Sequence, residues 1–126
     1  MKQGEIWLID LEPTVGAEMR KIRPAVIINE NALGRLPLRI IVPVTDWKEH
    51  NSMAPWMIPI TPSAQNGLTK NSSIDCFQIR SVSATRLIKQ IGYITFDEIL
   101  LIQEGISKVI GFGNNPRHDT IPLQTY

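Results

Sequence analysis

Cysteine and histidine are scarce in this chain of 126 residues, which contains one cysteine, Cys76, and two histidines, His50 and His118. A single cysteine cannot form an internal disulfide, which is typical of proteins in a reducing cytoplasm. The two histidines are far apart in sequence, so no metal-ligand spacing is present. We therefore expect no bound metal and no other cofactor. A nucleophilic pair of Cys76 with either histidine stays open, although a cysteine in an apolar strand is usually a packing residue.

Long apolar segments are also absent. No apolar run approaches the roughly 18–20 residues needed to span a bilayer, and residues 1–5 lack the apolar segment of a signal peptide. With 43% hydrophobic and 20% charged residues, the composition is typical of one folded domain. These features predict a cytoplasmic protein that makes no contact with a membrane.

Net charge and nucleotide-binding motifs are lacking as well. The formal charge is +1, so a nucleic-acid-binding protein of this composition must concentrate its basic groups in one place. There is no phosphate-binding loop, no Gly-x-Gly-x-x-Gly and no Gly-x-Ser-x-Gly. The function must therefore be sought in other local patterns.

Short apolar segments separated by turn residues predict a series of β-strands. The predicted strands cover 6–11, 25–28, 38–44, 56–60, 73–80 and 87–94. The run at 25–28 is apolar throughout, so we expect it to be buried on both faces. Pro43 in the third strand indicates an edge position or a bulge, because proline donates no hydrogen bond to a ladder.

The spacing of the apolar residues changes after the last strand. Thr95 followed by Glu98 is a capping-box pattern, and the spacing over 96–110 predicts an amphipathic helix that ends at Gly111. A mainly β chain with one late helix is typical of a small antiparallel barrel or curled sheet. We expect this domain to cover 1–113 and the segment 114–126 to be a loosely ordered tail.

A basic loop between the first two strands is the most informative feature. It contains Arg20, Lys21 and Arg23, and Arg23 directly precedes Pro24. Such a cluster is often just a solvated surface. The alternative is a phosphate site, because the planar guanidinium matches phosphate oxygens bidentately and the following proline favours an extended backbone at Arg23.

Three further residues have two interpretations each. Thr45 ends an apolar strand, where it either caps a turn or serves a site at the rim of the sheet. Trp47 and Trp56 either pack in the core or stack on bases. Core packing is the better interpretation for Trp56, since it begins a strand, whereas Trp47 lies in a polar loop.

The stretch 4–28, the Val-Pro-Val-Thr segment at 42–45 and the Gln-Ile-Arg segment at 78–80 together resemble the MazF/PemK family of toxins. The resemblance covers roughly 3–112. It implies an SH3-like (CcdB/MazF-type) barrel, a homodimer and a cognate antitoxin protein as partner. It also implies a metal-independent, sequence-selective endoribonuclease that cleaves single-stranded RNA and leaves 2′,3′-cyclic phosphate and 5′-hydroxyl ends.

The resemblance also implies roles for individual residues. The catalytic arginine and threonine of the family fall on Arg23 and Thr45. Glu18 is a possible supporting residue that orients Arg23, or a loop carboxylate that pairs with its basic neighbours. The residues expected to bind RNA are Arg20, Lys21, Trp47, Gln78 and Arg80. A histidine found in this loop in some members is replaced here by Ala17, and a second catalytic arrangement is missing because Asp75 and Phe77 occupy its places.

Two other functions are compatible with the same fold. A toxin of the CcdB type poisons gyrase through protein contacts and cleaves no RNA. A plain nucleic-acid-binding domain would bind RNA in a salt-dependent way and leave it intact. The basic loop and the Arg23–Pro24 junction favour the nuclease.

Overall fold

The computed structural model describes residues 1–113, and the tail predicted for 114–126 lies outside the described residues. The described chain forms seven β-strands and one α-helix, the mainly β arrangement with a late helix that the sequence predicts. The elements are β1 (Glu5–Asp10), β2 (Ile22–Ile27), β3 (Leu38–Asp46), β4 (Met57–Ile60), β5 (Ser72–Asp75), β6 (Arg80–Ser83), β7 (Leu87–Tyr93) and α1 (Phe96–Ile110).

All strand pairs are antiparallel, and the strands lie in the order β4-β5-β3-β2-β1-β7, with β6 paired to β3. β3 is the central strand. One of its edges pairs with β2, and the other pairs with β6 over 38–41 and with β5 over 44–46. The edge position predicted from Pro43 is therefore wrong. Pro43 is buried and stands between the β6 and β5 ladders, where its missing N–H is not required.

The single strand predicted for 73–80 is also wrong, because a 3₁₀ turn at Cys76–Gln78 separates β5 from β6. The Asp75 carboxylate accepts a hydrogen bond from the backbone N–H of Phe77 at 3.0 Å. Side-chain bonds of this kind compete with a strand ladder and favour a turn. The interruption redirects the chain, so that β5 and β6 pair with different halves of β3.

Two clusters of buried apolar side chains hold the sheet together. One includes Ile6, Val26 and Ile102 and has the α1 side chains Ile99 and Ile106 packed against it. The other is built around Ile9, Leu11, Ala25, Ile27, Ile41, Val82 and Leu87. In β2, Val26 packs in the first cluster, and its neighbours Ala25 and Ile27 pack in the second. This confirms that the strand is buried on both faces.

The helix begins and ends where the sequence predicts. The Thr95 hydroxyl accepts from the N–H of Glu98 at 3.2 Å, and the Glu98 carboxylate accepts from the N–H of Thr95 at 2.9 Å. This is the reciprocal capping box. Gly111 ends the helix in the left-handed conformation, with φ of 75°.

The two ends of the sheet are joined by a loop. Among the described residues β4 and β7 do not pair with each other, so closure into a barrel is not confirmed. Instead, the β4–β5 loop packs on β7, where the N–H of Tyr93 donates to the carbonyl of Gln65 at 2.9 Å. Gly67 lies so close to β7 that a Cβ there would be 2.0 Å from the carbonyl oxygen of Ile91.

The Asn66 side chain stabilises the conformation of the β4–β5 loop through hydrogen bonds to its backbone. This side chain is buried. Its amide oxygen accepts from the N–H groups of Ser63 and Leu68 at 2.9 and 3.0 Å, and its amide nitrogen donates to the carbonyl of Thr61 at 2.8 Å. Such bonds satisfy backbone groups that the loop cannot pair by itself.

The contact between this loop and β7 can be tested with two glycine substitutions. Gly67→Ala should lower the free energy of unfolding by at least about 3 kcal/mol, because strain at positive φ adds to the clash with Ile91. Gly16→Ala is the matched control: its φ is also positive, at 60°, but nothing lies within 4 Å of the added carbon. It should lose only about 1–2 kcal/mol. Equal losses in urea denaturation would contradict the close approach.

Candidate active site

A cleft of about 490 Å³ lies between β2, the end of β3, and the β4–β5 loop. We call it the Arg23 cleft. The described residues that line it are Leu8, Lys21, Ile22, Arg23, Pro24, Val44, Thr45, Asp46, Gly67, Leu68, Thr69, Lys70, Ser72 and Ile91. Arg23 and Thr45, which the sequence places 22 positions apart, therefore line the same cavity. The antiparallel β2–β3 pairing brings them together, since β2 begins and β3 ends at this side of the sheet.

The Arg23 side chain is half-buried and held by the basic loop. It lies on β2 opposite Ile9 of β1, so its backbone is extended as the following proline predicts. Its Nε donates to the carbonyl of Arg20 at 3.0 Å. This bond uses Nε and neither of the two outer guanidinium nitrogens, and it restricts the side chain before any ligand binds.

An unusual backbone conformation at Lys21 positions that carbonyl. Lys21 has φ of 69° and is the one non-glycine residue with positive φ between residues 1 and 113. Its N–H donates to the Glu12 carboxylate at 3.0 Å, and its carbonyl accepts from the N–H of Leu11 at 3.1 Å. Two anchors thus support a conformation that lysine rarely adopts. Non-glycine residues held in this way are concentrated at functional sites.

The charged side chains that line the cleft are three cations, Lys21, Arg23 and Lys70, and one acid, Asp46. Lys70 Nζ lies 2.9 Å from Asp46 Oδ1. The hydrogen bond from Lys70 holds the pKa of Asp46 below its usual value, and the charges of Lys70, Arg23 and Lys48 act in the same direction. Asp46 is therefore ionised at neutral pH. An excess of positive charge in a concave surface favours an anionic ligand.

A second depression, of about 320 Å³, contains other residues that the sequence singled out. It is lined by Leu11, Ala17, Glu18, Met19, Pro43, Phe77, Gln78, Ile79 and Arg80. Glu18 is exposed, and its carboxylate accepts from the N–H of Val15 at 2.7 Å. The structure therefore brings Glu18 together with Gln78 and Arg80, and does not bring it to Arg23.

Gln78 and Arg80 are engaged with the protein itself. The Gln78 amide oxygen accepts from the N–H of Met19 at 2.8 Å, and its nitrogen donates to the carbonyl of Ala17 at 3.5 Å. Arg80 Nη1 donates to the carbonyl of Leu11 at 3.4 Å. Both side chains thus join the β5–β6 region to the basic loop, while their contact with RNA stays a prediction.

Three of the residues that the sequence singled out remain to be placed: Trp47, Trp56 and Arg20. Trp47 is 36% exposed and lines a small depression of about 140 Å³ that shares Ser72 with the Arg23 cleft. Trp56 is half-buried against the apolar cluster beneath α1 and meets Phe77 edge-on at 5.5 Å, which agrees with a packing role. Arg20 is exposed and offers its carbonyl to Arg23.

Asp46 and Lys70 are the cleft residues that sequence reasoning missed. Lys70 lies in a segment that looks like an ordinary polar loop, and no local pattern marks it. The close packing of the β4–β5 loop on β7 is what brings it to the cleft. Asp46 directly follows Thr45 at the strand end, and that adjacency was the one signal available.

The structure offers little support for two other kinds of site. Within residues 1–113 no group of three or more histidine, cysteine, aspartate or glutamate side chains is arranged to hold a metal ion. Burial and the nearby charge of Asp75 raise the pKa of Cys76 to about 12, so its thiol is protonated and a poor nucleophile.

Among residues 1–113 no helix is long and apolar enough to cross a membrane.

Comparison with known proteins identifies the family. Residues 2–110 match the family described as PemK-like, MazF-like toxin of type II toxin-antitoxin system. Endoribonuclease MazF9 of Mycobacterium tuberculosis is 29% identical over 112 residues, a match that covers 84% of this chain and 92% of the relative.

Solved structures of similar proteins agree with the fold. MazF from Deinococcus radiodurans has a TM-score of 0.73 and 19% identity, over 88% of this chain and 96% of that one. An endoribonuclease from a mycobacterial species, solved in complex with its cognate antitoxin, has a TM-score of 0.69 and 19% identity, over 88% and 95%. Because the family match spans most of the sequence, this chain belongs to the PemK-like, MazF-like toxins of type II toxin–antitoxin systems.

Proposed function

We propose that this protein is a metal-independent, sequence-selective endoribonuclease that cleaves single-stranded RNA as the toxin of a toxin–antitoxin pair. The observation that carries the proposal is the presence of Arg23 and Thr45 in one positively charged cleft. The relatives that bear the name endoribonuclease support the class of reaction.

The proposed reaction is an internal phosphoryl transfer. The ribose 2′-oxygen attacks the adjacent phosphorus, and the bond from phosphorus to the 5′-oxygen of the next nucleotide breaks. The 2′-hydroxyl loses a proton and the leaving oxygen gains one, so the products are a 2′,3′-cyclic phosphate and a 5′-hydroxyl. No water or metal enters this step, which is why the ends of the products are diagnostic.

Arg23 and Thr45 would stabilise the charge that develops in this reaction. The pentacoordinate phosphorus carries negative charge on its equatorial oxygens, and fixed donors aimed at such charge supply a large share of catalysis. Arg23 stays protonated near neutral pH, so its proposed role is electrostatic rather than that of a base. Thr45 offers a hydroxyl donor in the same cleft, at the end of the neighbouring strand β3.

The proposed partners are a cognate antitoxin protein and a second copy of this chain. A structural neighbour was solved in complex with its cognate antitoxin. Large apolar side chains are exposed along α1 and just beyond it, including Phe96, Ile110 and Phe112, which are each at least 70% exposed. Apolar surface of this kind indicates protein contacts. We place the protein in the cytoplasm, where RNA and such an antitoxin meet.

The first test of this function is Arg23→Ala. Cleavage of a long single-stranded RNA should fall by roughly 100-fold or more, because the principal charge-stabilising group is lost. Arg23→Lys should restore only part of the rate, since lysine keeps the charge without the planar fork. Arg35→Ala is the matched control: Arg35 is exposed and lines neither the Arg23 cleft nor the second depression. Full activity in Arg23→Ala, with an unchanged melting temperature, would refute the site.

The second test separates the Thr45 hydroxyl from the shape of its side chain. Thr45→Val keeps the branched shape and removes the donor, and should slow cleavage at least about tenfold. Thr45→Ser keeps the hydroxyl and should stay within a few-fold of the parent. Single-turnover rates measure the difference. If the two variants lose activity equally, the hydroxyl has no part in the reaction.

The third test concerns the chemistry itself. Cleavage should persist in excess chelator, and end analysis of the fragments should find 2′,3′-cyclic phosphate and 5′-hydroxyl groups. Fragments with 5′-phosphates, or activity that needs a divalent ion, would overturn the proposed mechanism. RNA that stays intact while gyrase is arrested would instead assign the protein to the CcdB type.

A further inference from the structure

The β4–β5 loop contributes a lysine to the Arg23 cleft. Lys70 lines the same cavity as Arg23 and Thr45. Its ammonium group lies 2.9 Å from the Asp46 carboxylate, with 65% of the lysine and 55% of the aspartate side chain exposed. No local pattern in the sequence marks Lys70 as part of a site.

The backbone at Lys70 is fixed on both sides. Before it, Gly67 is pressed against the carbonyl of Ile91. At Lys70 itself the carbonyl accepts from the Ser72 hydroxyl at 2.8 Å, and just after it the carbonyl of Asn71 accepts from the N–H of Trp47 at 3.0 Å. Lys70 thus has a flexible side chain on a well-anchored backbone. This arrangement suits the binding of a phosphate whose position varies by an ångström or two.

The pair with Asp46 is too exposed to need the lysine for stability. Exposed ion pairs stabilise a fold by about 1 kcal/mol at most, so Lys70 can change partners at little cost. A phosphate that reaches Arg23 and Thr45 also brings negative charge towards Asp46, which repels it. Lys70 pairs with Asp46 in the free protein and can turn to the phosphate in the complex.

Resting on the nuclease function proposed above, we propose that Lys70 is a further contact for the RNA backbone in the Arg23 cleft and that Asp46 competes with RNA for it. The phosphate concerned is the one at the cleft mouth, next to the phosphate that Arg23 and Thr45 hold. Lys70 therefore acts in substrate binding, and Asp46 limits the strength of that binding.

Substitutions of the two partners separate this proposal from a structural salt bridge. If the pair only held the loop to β3, loss of either partner would have the same effect. If Lys70 binds phosphate and Asp46 competes, the two variants act in opposite directions. Lys70→Gln should raise KM, and Asp46→Asn should lower it, because only the second removes a repulsive group and frees the lysine.

The experiment measures cleavage of a short single-stranded RNA that carries one mapped cleavage site, at several salt concentrations. For Lys70→Gln, KM should rise roughly two- to fivefold, with kcat within about twofold of the parent. The slope of log KM against log salt should fall by about 0.7, the contribution of one phosphate contact on a single strand. Lys108→Gln is the matched control, since Lys108 also pairs with an acid, Glu104 at 3.4 Å, but lies on α1. It should change neither KM nor slope.

Each outcome decides the proposal. An unchanged KM and slope in Lys70→Gln, or a KM that rises in both variants, would overturn it in favour of a structural pair. A collapse of kcat in Asp46→Asn would also overturn it, because Asp46 would then take part in proton transfer. In all these cases the parent protein still cleaves RNA. Absence of cleavage by the parent protein would refute the proposed function instead, so the two failures are distinguishable.

Discussion

The packing of the β4–β5 loop on β7 is the contact on which the rest of this molecule depends. Among residues 1–113 the strand order runs from β4 to β7, and these two strands do not pair with each other. The loop joins them at Gly67, where the two backbones lie so close that an added Cβ would be 2.0 Å from the carbonyl oxygen of Ile91. The loop then lies beside β2 and the end of β3, and these three segments together form the Arg23 cleft. The site therefore relies on a glycine with no chemistry of its own.

Local sequence signals predicted the parts of the structure that local forces determine. The capping box at Thr95 and Glu98 satisfies backbone groups three residues apart, so a four-residue pattern suffices to find it. The extended backbone of Arg23 follows from the ring of Pro24 in the same way. The strands at the start of the chain, and the burial of β2, follow from composition because apolar β-branched runs have few other stable arrangements.

Long-range packing decided what the sequence could not predict. Pro43 indicated an edge position or a bulge because a ladder normally needs every N–H. A central proline is tolerated here because β3 changes partner from β6 to β5 at this point. Lys70 lines the cleft because the β4–β5 loop packs on β7. These contacts join residues far apart in sequence, so no local pattern predicts them. Glu18, close to Arg23 in sequence, lines the other depression, because neighbours on a loop readily face different sides.

The distribution of charge explains how a nearly neutral chain can present a positively charged site. With a net charge of +1, the protein as a whole attracts a polyanion weakly, so binding of one depends on short-range contacts in a concave surface. Three cations surround the Arg23 cleft, and one acid lies among them. An acid at such a position weakens the binding of a phosphate. Asp46 therefore lowers the affinity of this cleft for anions, and its carboxylate holds Lys70 in an ion pair. A cleft lined by cations alone would bind a polyanion more tightly without reacting faster, since binding that is equal for substrate and transition state gives no catalytic advantage.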